Sequence, residues 1–296
     1  MERVIQHKCP LCGSNSIPIP YQRVFQGRRW ALAKCRSCGL HFTQPTATEG
    51  ELMAFYDGDY HAELQTEGGS ETAFGAKYRR YADTLKKYLG SGRVVDVGCS
   101  TGLLVRILRD RGYEAEGIEL NPQSAEWGRA HYDVTIHTEP LERCPYAPES
   151  LDGLLMTDVL EHASHPLKFL LEARQLLMPG GVLLVIFPDI RSLESRYWHF
   201  LSRLFQRDGL WRNCHIPLHV WEFTRPTAEV CFRSAGFRVL EFRRTQPIPE
   251  SYKGSLALRL LELPTRFLCW PLFRDWLGTQ MEFVIQKTSD ASRIPD

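Results

Sequence analysis

Four cysteines near the start of the sequence have the spacing of a metal site. Cys9 and Cys12 form one CxxC pair, and Cys35 and Cys38 form a second pair 22 residues further along. Each CxxC turn directs two thiolates at one ion, and two such turns complete the tetrahedron that Zn²⁺ prefers. A redox CxxC would instead be a single pair beside a βαβ unit. We therefore predict a structural zinc site that is closed by four thiolates and has no chemistry of its own.

A second set of residues is suited to binding a nucleoside. The segment from Asp96 to Gly102 reads DVGCSTG, in which glycines let a ligand approach the backbone and the helix start offers free N–H groups. Glu119 follows Asp96 by 23 residues, where a carboxylate can accept both hydroxyls of an adenosine ribose. The spacing differs from the GxGxxG of dinucleotide sites, and Asp96 would repel a pyrophosphate but suits an ammonium group. These features favour S-adenosylmethionine (SAM) over a dinucleotide.

Four segments in order, VVDVGCSTG, GIELNP, LLMTDVLEH and LMPGGVLLVIFP, resemble the motifs of class I SAM-dependent methyltransferases over about residues 75–290. Ser100 departs from that family's pattern, which usually has glycine there. The resemblance implies that the glycine loop holds the methionine part of SAM, that Asp96 reaches its amino group and that Glu119 holds the ribose. By position, the implied cofactor-binding residues are Asp96, Gly98, Cys99, Ser100, Gly102, Glu119, Leu120, Glu139, Leu141, Thr157 and Asp158. For Glu139 and Asp158, a solvated loop acid is an equal alternative.

Three histidines are candidates for a catalytic base. Methyl transfer to a hydroxyl, or to a carbon beside a carbonyl, requires removal of a proton, and histidine suits this near neutral pH. His162 follows the fourth predicted strand, at the rim where ligands bind in open α/β sheets. His215 and His219 lie in the insert after the fifth strand, which forms a lid over the substrate in related folds, and His219 is our first choice. The alternatives are a backbone hydrogen bond for His162 and simple packing for the other two.

Alternating strands and helices must position these residues. Apolar runs such as Leu151–Thr157 and Val182–Phe187 are typical of strands covered on both faces, and hence of a parallel sheet. Pro166 should begin a helix that ends at Pro179-Gly180-Gly181. We predict an α/β, Rossmann-like doubly wound seven-stranded sheet with a small N-terminal zinc ribbon. The resemblance implies that the last strand of the sheet is antiparallel.

The predicted elements divide the chain into three parts. The other predicted strands are Arg93–Val97, Tyr113–Leu120, Asp133–His137, Phe237–Arg243 and Met281–Lys287, with Tyr21–Phe25 and Trp30–Ala33 in the ribbon. The predicted domains are a zinc ribbon (1–45), a helical linker or cap (46–90) and a methyltransferase domain (91–290) with a lid insert at 190–226 and a cap insert at 247–279.

The composition is that of an ordinary globular protein. With 43% hydrophobic and 24% charged residues, it excludes a disordered, collagen-like or disulfide-scaffold chain. The net charge of +1 is unevenly spread, because residues 1–40 hold seven basic and one acidic residue whereas residues 90–187 hold eight basic and fourteen acidic. Neither a run of eighteen apolar residues nor a signal-peptide core is present. We therefore expect a cytoplasmic protein with reduced cysteines and no transmembrane segment.

The acceptor is less well defined than the cofactor. A four-cysteine ribbon followed by Gly-Leu-x-Phe resembles bacterial methyltransferases of sugar and surface-glycan pathways, although Leu218 replaces the acid of their His-Glu-His cluster. We predict methyl transfer to a small-molecule or glycan-pathway acceptor, such as a nucleotide-linked or lipid-linked sugar. The alternative is a ribosomal RNA methyltransferase that docks RNA on its basic ribbon. A NAD-dependent oxidoreductase is disfavoured by the missing GxGxxG, and a non-catalytic scaffold stays open.

The segment 255–277 is rich in Leu, Trp and Phe with interspersed arginines. Such a stretch can rest on a membrane surface. The commoner role is a core-facing cap or a dimer contact, so both monomer and homodimer are compatible with the sequence.

Overall fold

The computed structural model describes residues 8–19, 21–25, 27–48, 50–51, 69–205, 215–245 and 278–289. The predicted segment 255–277, and nearly all of the cap insert at 247–279, lie outside the described residues. The strands are β1 (Tyr21–Phe25), β2 (Arg28–Lys34), β3 (His41–Gln44), β4 (Arg93–Val97), β5 (Glu114–Ile118), β6 (Ile136–His137), β7 (Leu151–Thr157), β8 (Leu177–Pro188), β9 (Trp221–Glu222), β10 (Phe237–Thr245) and β11 (Gln280–Lys287). The helices are α1 (Gly69–Lys86), α2 (Leu103–Asp110), α3 (Pro122–Tyr132), α4 (Pro166–Leu176), α5 (Leu193–Phe205) and α6 (Arg225–Ser234).

The chain divides into two compact units, which we call the ribbon unit and the sheet unit. The ribbon unit comprises Met1–Ala47, Phe187–Ala228 and Phe242–Glu282. The sheet unit comprises Thr48–Ile186, Glu229–Glu241 and Phe283–Asp296.

A seven-stranded sheet forms the core of the sheet unit. Its strand order is β10-β11-β8-β7-β4-β5-β6, and β4 pairs in parallel with both β5 and β7. The last strand is antiparallel, so the predicted Rossmann-like α/β fold is confirmed. The central strands are apolar on both faces because helices cover both sides, and Val94, Leu155 and Leu184 are fully buried. The order reverses direction between β4 and β7, which is where ligands bind in such sheets.

Local sequence signals explain where the helices of the sheet unit begin. The side chain of Asn121 accepts a hydrogen bond from the backbone N–H of Ser124 and so caps α3, whose first residue is Pro122. Helix α2 buries its apolar stripe, including Leu104 and Leu108, against the sheet.

The end of α4 differs from the prediction. The helix ends at Leu176, and Pro179-Gly180-Gly181 lies inside β8, which begins at Leu177. Gly180 has φ +79°, and the register against β7 shifts between Leu151 and Gly153. A proline and glycine run therefore marks an irregular strand here, because the extra residues are accommodated as a bulge.

A four-stranded antiparallel sheet organises the ribbon unit. Strands β1, β2 and β3 follow each other in the sheet, and β3 pairs with β9 through Phe42 opposite Trp221 and His41 opposite Glu222. The β1–β2 hairpin was predicted from the sequence, whereas the β3–β9 pairing was not. This pairing joins the cysteine-rich start of the chain to the segment that carries two of the candidate histidines.

Candidate functional site

The loop after β4 and the end of β5 are tied together by one carboxylate. Glu119 Oε2 accepts a hydrogen bond from the backbone N–H of Ser100 at 2.9 Å, and its Oε1 accepts one from the N–H of Asn121 at 2.8 Å. The backbone N–H of Gly98 donates to the carbonyl of Ile118 at 2.8 Å. Glu119 is therefore held rigidly at the carboxyl end of β5, with lone pairs left over for a ligand's hydroxyl groups.

Asp96 is a buried carboxyl group whose charge is not compensated. It is 2% exposed at the end of β4, and its Oδ1 has no hydrogen-bond partner among the residues the structure describes. Burial, together with the nearby charge of Glu119, raises the pKa of Asp96 well above its ordinary value. A cationic group beside it would satisfy this oxygen and restore the ionised form, so the residue fits the ammonium group of an amino acid.

The backbone of the loop is shaped for a close approach. Gly98 has φ +73°, and a Cβ atom there would lie 2.5 Å from Val159 Cγ2, so packing of the turn after β7 requires glycine. Ser100 has φ +50° although it is not glycine. The family pattern usually has glycine at this position, and this chain keeps the same left-handed backbone there. A Cβ on Gly117 would lie 2.4 Å from Cys99 Sγ, so the Cys99 side chain packs on β5 and offers only its backbone to the loop.

The residues predicted to flank the nucleoside lie at the same edge of the sheet unit. Leu120 lies two residues after the end of β5 and is 40% exposed. Leu141 is buried and Glu139 is exposed after β6. Thr157 is the last residue of β7 and is half-buried. The role of each in binding stays a prediction.

Helix α1 contributes two residues that the sequence did not single out for binding. Lys77 Nζ contacts Asp158 Oδ2 at 3.1 Å. Burial lowers the pKa of Lys77, but the charges of Asp158 and Tyr78 and the hydrogen bond to Asp158 together outweigh burial, so that the pKa is raised. The neighbouring Tyr78 has its pKa raised by burial and by Asp96 and Asp158. The sequence does contain a pattern that places Lys77 among aromatic side chains. Phe74 comes three residues before Lys77 and Tyr81 comes four residues after it, so all three lie on one face of a helix.

We expect the Glu119→Ala variant to bind SAM about 100-fold more weakly. The variant loses the two predicted hydrogen bonds to the ribose hydroxyls, and at roughly 1.5 kcal/mol for each charge-assisted bond this weakens binding by about 3 kcal/mol. Calorimetric titration with SAM measures this, and Glu114→Ala, an exposed acid at the other end of β5, is the matched control. Equal affinities of the two variants would contradict the assignment.

The four predicted metal ligands come together in the ribbon unit. Their sulfur atoms all lie within 4.8 Å of one another, with Cys9 to Cys38 at 3.6 Å and Cys12 to Cys35 at 3.5 Å. Tetrahedral Zn²⁺ with bonds of about 2.3 Å separates its sulfurs by about 3.8 Å. The glycines after the two knuckles, Gly13 and Gly39, have φ +72° and +82°. The thiols present therefore fit one tetrahedral zinc ion.

His219 belongs to a buried cluster of polar groups in the ribbon unit. Its Nδ1 lies 3.2 Å from Glu222 Oε1, and both side chains are buried. The same carboxylate oxygen accepts the backbone N–H of His215 at 3.4 Å, and the two histidine rings are 4.7 Å apart. Thr43 Oγ1 donates to the carbonyl of His219 at 2.6 Å. The acid missing at Leu218 is therefore supplied by Glu222, three residues after the histidine.

Glu222 has an unusual ionisation. Burial raises its pKa to about 8, although the nearby His215 partly offsets this. A carboxyl group that titrates this close to neutrality beside a histidine is typical of sites that move protons.

His162, the third candidate base, lies in the sheet unit. It ends a short 3₁₀ turn, Leu160–His162, and its backbone N–H donates to the carbonyl of Val159 at 3.0 Å. Its side chain is half-buried. The backbone hydrogen bond that was the alternative to a catalytic role is therefore present at His162. A catalytic role for its side chain stays a prediction.

Comparison with known proteins agrees with this geometry. Residues 73–241 match a family model described as a methyltransferase domain. The ubiquinone biosynthesis O-methyltransferase of Cereibacter sphaeroides is 30% identical over 178 residues, which are 58% of this chain and 70% of that protein. The corresponding protein of Xanthomonas campestris is 32% identical over 101 residues, 32% of this chain and 42% of its own.

Solved structures share the fold at low sequence identity. A SAM-dependent methyltransferase from Archaeoglobus fulgidus has a TM-score of 0.53 and 16% identity, covering 77% of this chain and 100% of its own. The 1,6-didemethyltoxoflavin-N1-methyltransferase of Burkholderia thailandensis, solved with its substrate and S-adenosylhomocysteine, has a TM-score of 0.52 and 16% identity, covering 90% of this chain and 99% of its own. The family model matches more than half of the sequence. The fold also carries the glycine loop, the buried Asp96 and Glu119, which is hydrogen-bonded to that loop. This chain therefore belongs to the SAM-dependent methyltransferase family.

Proposed function

We propose that this protein transfers the methyl group of SAM to an oxygen, or to an acidic carbon, of a sugar-containing small molecule, with His219 as the proton acceptor. The observation that carries the proposal is the buried hydrogen-bonded pair of His219 Nδ1 and Glu222 Oε1 at 3.2 Å. A histidine oriented by a carboxylate is the usual arrangement of a general base. An acceptor that is already nucleophilic, such as an amine in its free-base form, would not need one.

The direction of the proton shift follows from the pair itself. When Glu222 is ionised, the Nδ1–H of His219 donates a hydrogen bond to the carboxylate, and Nε2 keeps a lone pair that can accept a proton from the acceptor. When Glu222 is protonated, its O–H donates a hydrogen bond to Nδ1, and the hydrogen of the neutral ring is on Nε2, which then cannot accept a proton. Because burial raises the pKa of Glu222 to about 8, the form able to accept a proton becomes dominant above that pH.

The sheet unit would hold the cofactor through oppositely charged groups. SAM, when bound, supplies an activated methyl group on a sulfonium. Asp96 suits the ammonium group of its amino-acid part, and the half-buried Lys77 suits the carboxylate. Glu119 suits the ribose hydroxyls, and the exposed Leu120 suits the adenine face.

The acceptor class rests on two kinds of support. Two of the relatives are named O-methyltransferases, which agrees with a hydroxyl acceptor and a proton to be removed. The cysteine ribbon and the His215–Glu222 segment resemble enzymes of sugar and surface-glycan pathways, which favours a sugar among small molecules.

RNA is the second candidate acceptor. From Lys8 to Thr48 the sequence has six basic residues and no acidic one. Such a surface attracts phosphate groups, and RNA docking on the ribbon would use it.

A transfer experiment separates the two acceptors. Purified enzyme and methyl-labelled SAM are added to a lysate of the source cells, with the Glu119→Ala variant as the control for background label. We expect label in small, nuclease-resistant material that contains sugar. Label that disappears on nuclease treatment would overturn the sugar acceptor and support RNA, and equal labelling by the control variant would overturn both.

A further inference from the structure

Helix α5 of the ribbon unit exposes a stripe of large hydrophobic side chains. Leu193, Phe200, Leu204 and Phe205 are between 43% and 62% exposed. The first three are spaced at i, i+7 and i+11, so they lie on one face of the helix. The opposite face is buried through Trp198 and Leu201 and accounts for the core packing of the helix. The exposed stripe therefore has no part in holding the helix in place.

The exposed hydrophobic side chains are concentrated in the ribbon unit. Among the residues that the structure describes, eight large hydrophobic side chains are exposed, and six of these belong to the ribbon unit. Four of the six are on α5. Single exposed hydrophobic residues need no explanation, but a continuous apolar ridge on one helix marks a surface that meets something apolar.

The charges around the stripe are basic. Arg196 and Arg203 are exposed on the same helix, close to the apolar ridge by helical spacing. The described part of the ribbon unit has four acidic residues, of which Asp189, Glu222 and Glu282 are buried. Glu194 is the remaining acid, and it is half-buried. Among the described residues of this unit, exposed basic side chains such as Arg196 and Arg203 therefore outnumber exposed acidic ones.

The neighbouring hairpin has the same character. The ring of Tyr21, the first residue of β1, packs edge-on against His199 of α5 with centroids 6.4 Å apart. Further along β1, Val24 is 60% exposed and is paired across the strands with the exposed Arg29. The combination of apolar and basic side chains therefore extends beyond one helix.

We propose that the face formed by Leu193, Phe200 and Leu204 of α5, with Arg196 and Arg203 beside it and Phe205 at the end of the helix, docks this protein on a membrane surface that contains anionic phospholipids. Apolar side chains enter the boundary between headgroups and acyl chains, and arginines contact the lipid phosphates. The charge complementarity favours this occupant, because a second copy would bring like charges together. RNA would leave the leucines without a suitable contact, since its recognition uses stacking and hydrogen bonds. No described helix is long and apolar enough to cross a membrane.

Vesicle sedimentation tests the proposal with the full chain. The wild type is mixed with vesicles of phosphatidylcholine alone, or of phosphatidylcholine with 30 mol% phosphatidylglycerol, chosen as about one anionic lipid in three. We expect binding to the anionic vesicles only, and partition that falls about tenfold in the Phe200→Ser/Leu204→Ser variant. Arg196→Glu/Arg203→Glu should lose binding as strongly, and raised salt should weaken binding of the wild type.

Two control variants keep the test specific. Met178→Ser removes an exposed hydrophobic side chain from the sheet unit, and Lys168→Glu reverses an exposed charge there. Both should bind vesicles as the wild type does, and thermal unfolding of every variant verifies that it is folded. Absence of binding to anionic vesicles, or equal loss in the Met178→Ser control, would overturn the proposal. So would a dimer that the Phe200→Ser/Leu204→Ser variant abolishes, or RNA binding in the absence of vesicle binding.

Discussion

Replacing His219 with alanine is expected to lower kcat by about 100- to 10,000-fold, the usual contribution of a general base. SAM affinity should stay unchanged, because a general base acts on the acceptor and not on the cofactor. Steady-state kinetics and a calorimetric titration with SAM separate the two effects. His131→Ala, which removes an exposed histidine of α3, is the matched control and should keep full activity. Turnover that is unchanged in His219→Ala would exclude His219 as the base.

The pH dependence of kcat distinguishes a base from a packing residue. In the wild type, kcat should rise with pH through a midpoint near 8 and level off at higher pH, because Glu222 loses its proton over this range and Nε2 of His219 becomes free to accept one. Glu222→Gln keeps the size of the side chain but cannot ionise, so the rise centred near pH 8 should disappear along with most of the activity. A profile of unchanged shape in Glu222→Gln would show that the pair does not move the proton.

Removing zinc is expected to unfold the start of the ribbon unit. Structural zinc sites contribute roughly 10–16 kcal/mol of binding free energy at neutral pH, more than a segment of this size gains from its own core. Chelation, or the Cys35→Ser substitution, should therefore make residues 8–47 sensitive to protease. Cys231→Ser, which changes a buried cysteine of α6 that is not one of the four predicted zinc ligands, is the control.

The same treatment should separate cofactor binding from turnover. Strand β3 pairs with β9 and so positions Glu222, and Thr43 holds the backbone of His219. Loss of zinc should consequently lower kcat, although zinc takes no part in the chemistry. SAM affinity should persist, since Glu119 is held by the backbone N–H groups of Ser100 and Asn121 and Asp96 belongs to β4. A metal-stripped protein that is still folded but cannot bind SAM would contradict this.

Local sequence patterns determined most of the sheet. Strands β4 and β7 coincide with the predicted Arg93–Val97 and Leu151–Thr157, because a short apolar run between turn residues specifies a buried strand without reference to the rest of the chain. The third strand was predicted from Asp133, but it begins at Ile136, since Asp133 takes a left-handed conformation after α3. Boundaries of this kind depend on how a helix ends.

The four cysteines, the glycine loop, Asp96 and Glu119 could all be read from residue type and spacing, because a turn and its chemistry are local properties of the chain. Three features could not be predicted from residue type and spacing. They are the pairing of β3 with β9, the contact of Lys77 with Asp158 and the left-handed backbone at Ser100. The first two bring together residues 81 or more positions apart in the sequence, and the third depends on packing around the loop. Glu222 lies only three residues from His219, yet its role needed the fold, because burial rather than spacing gives that carboxyl its raised pKa.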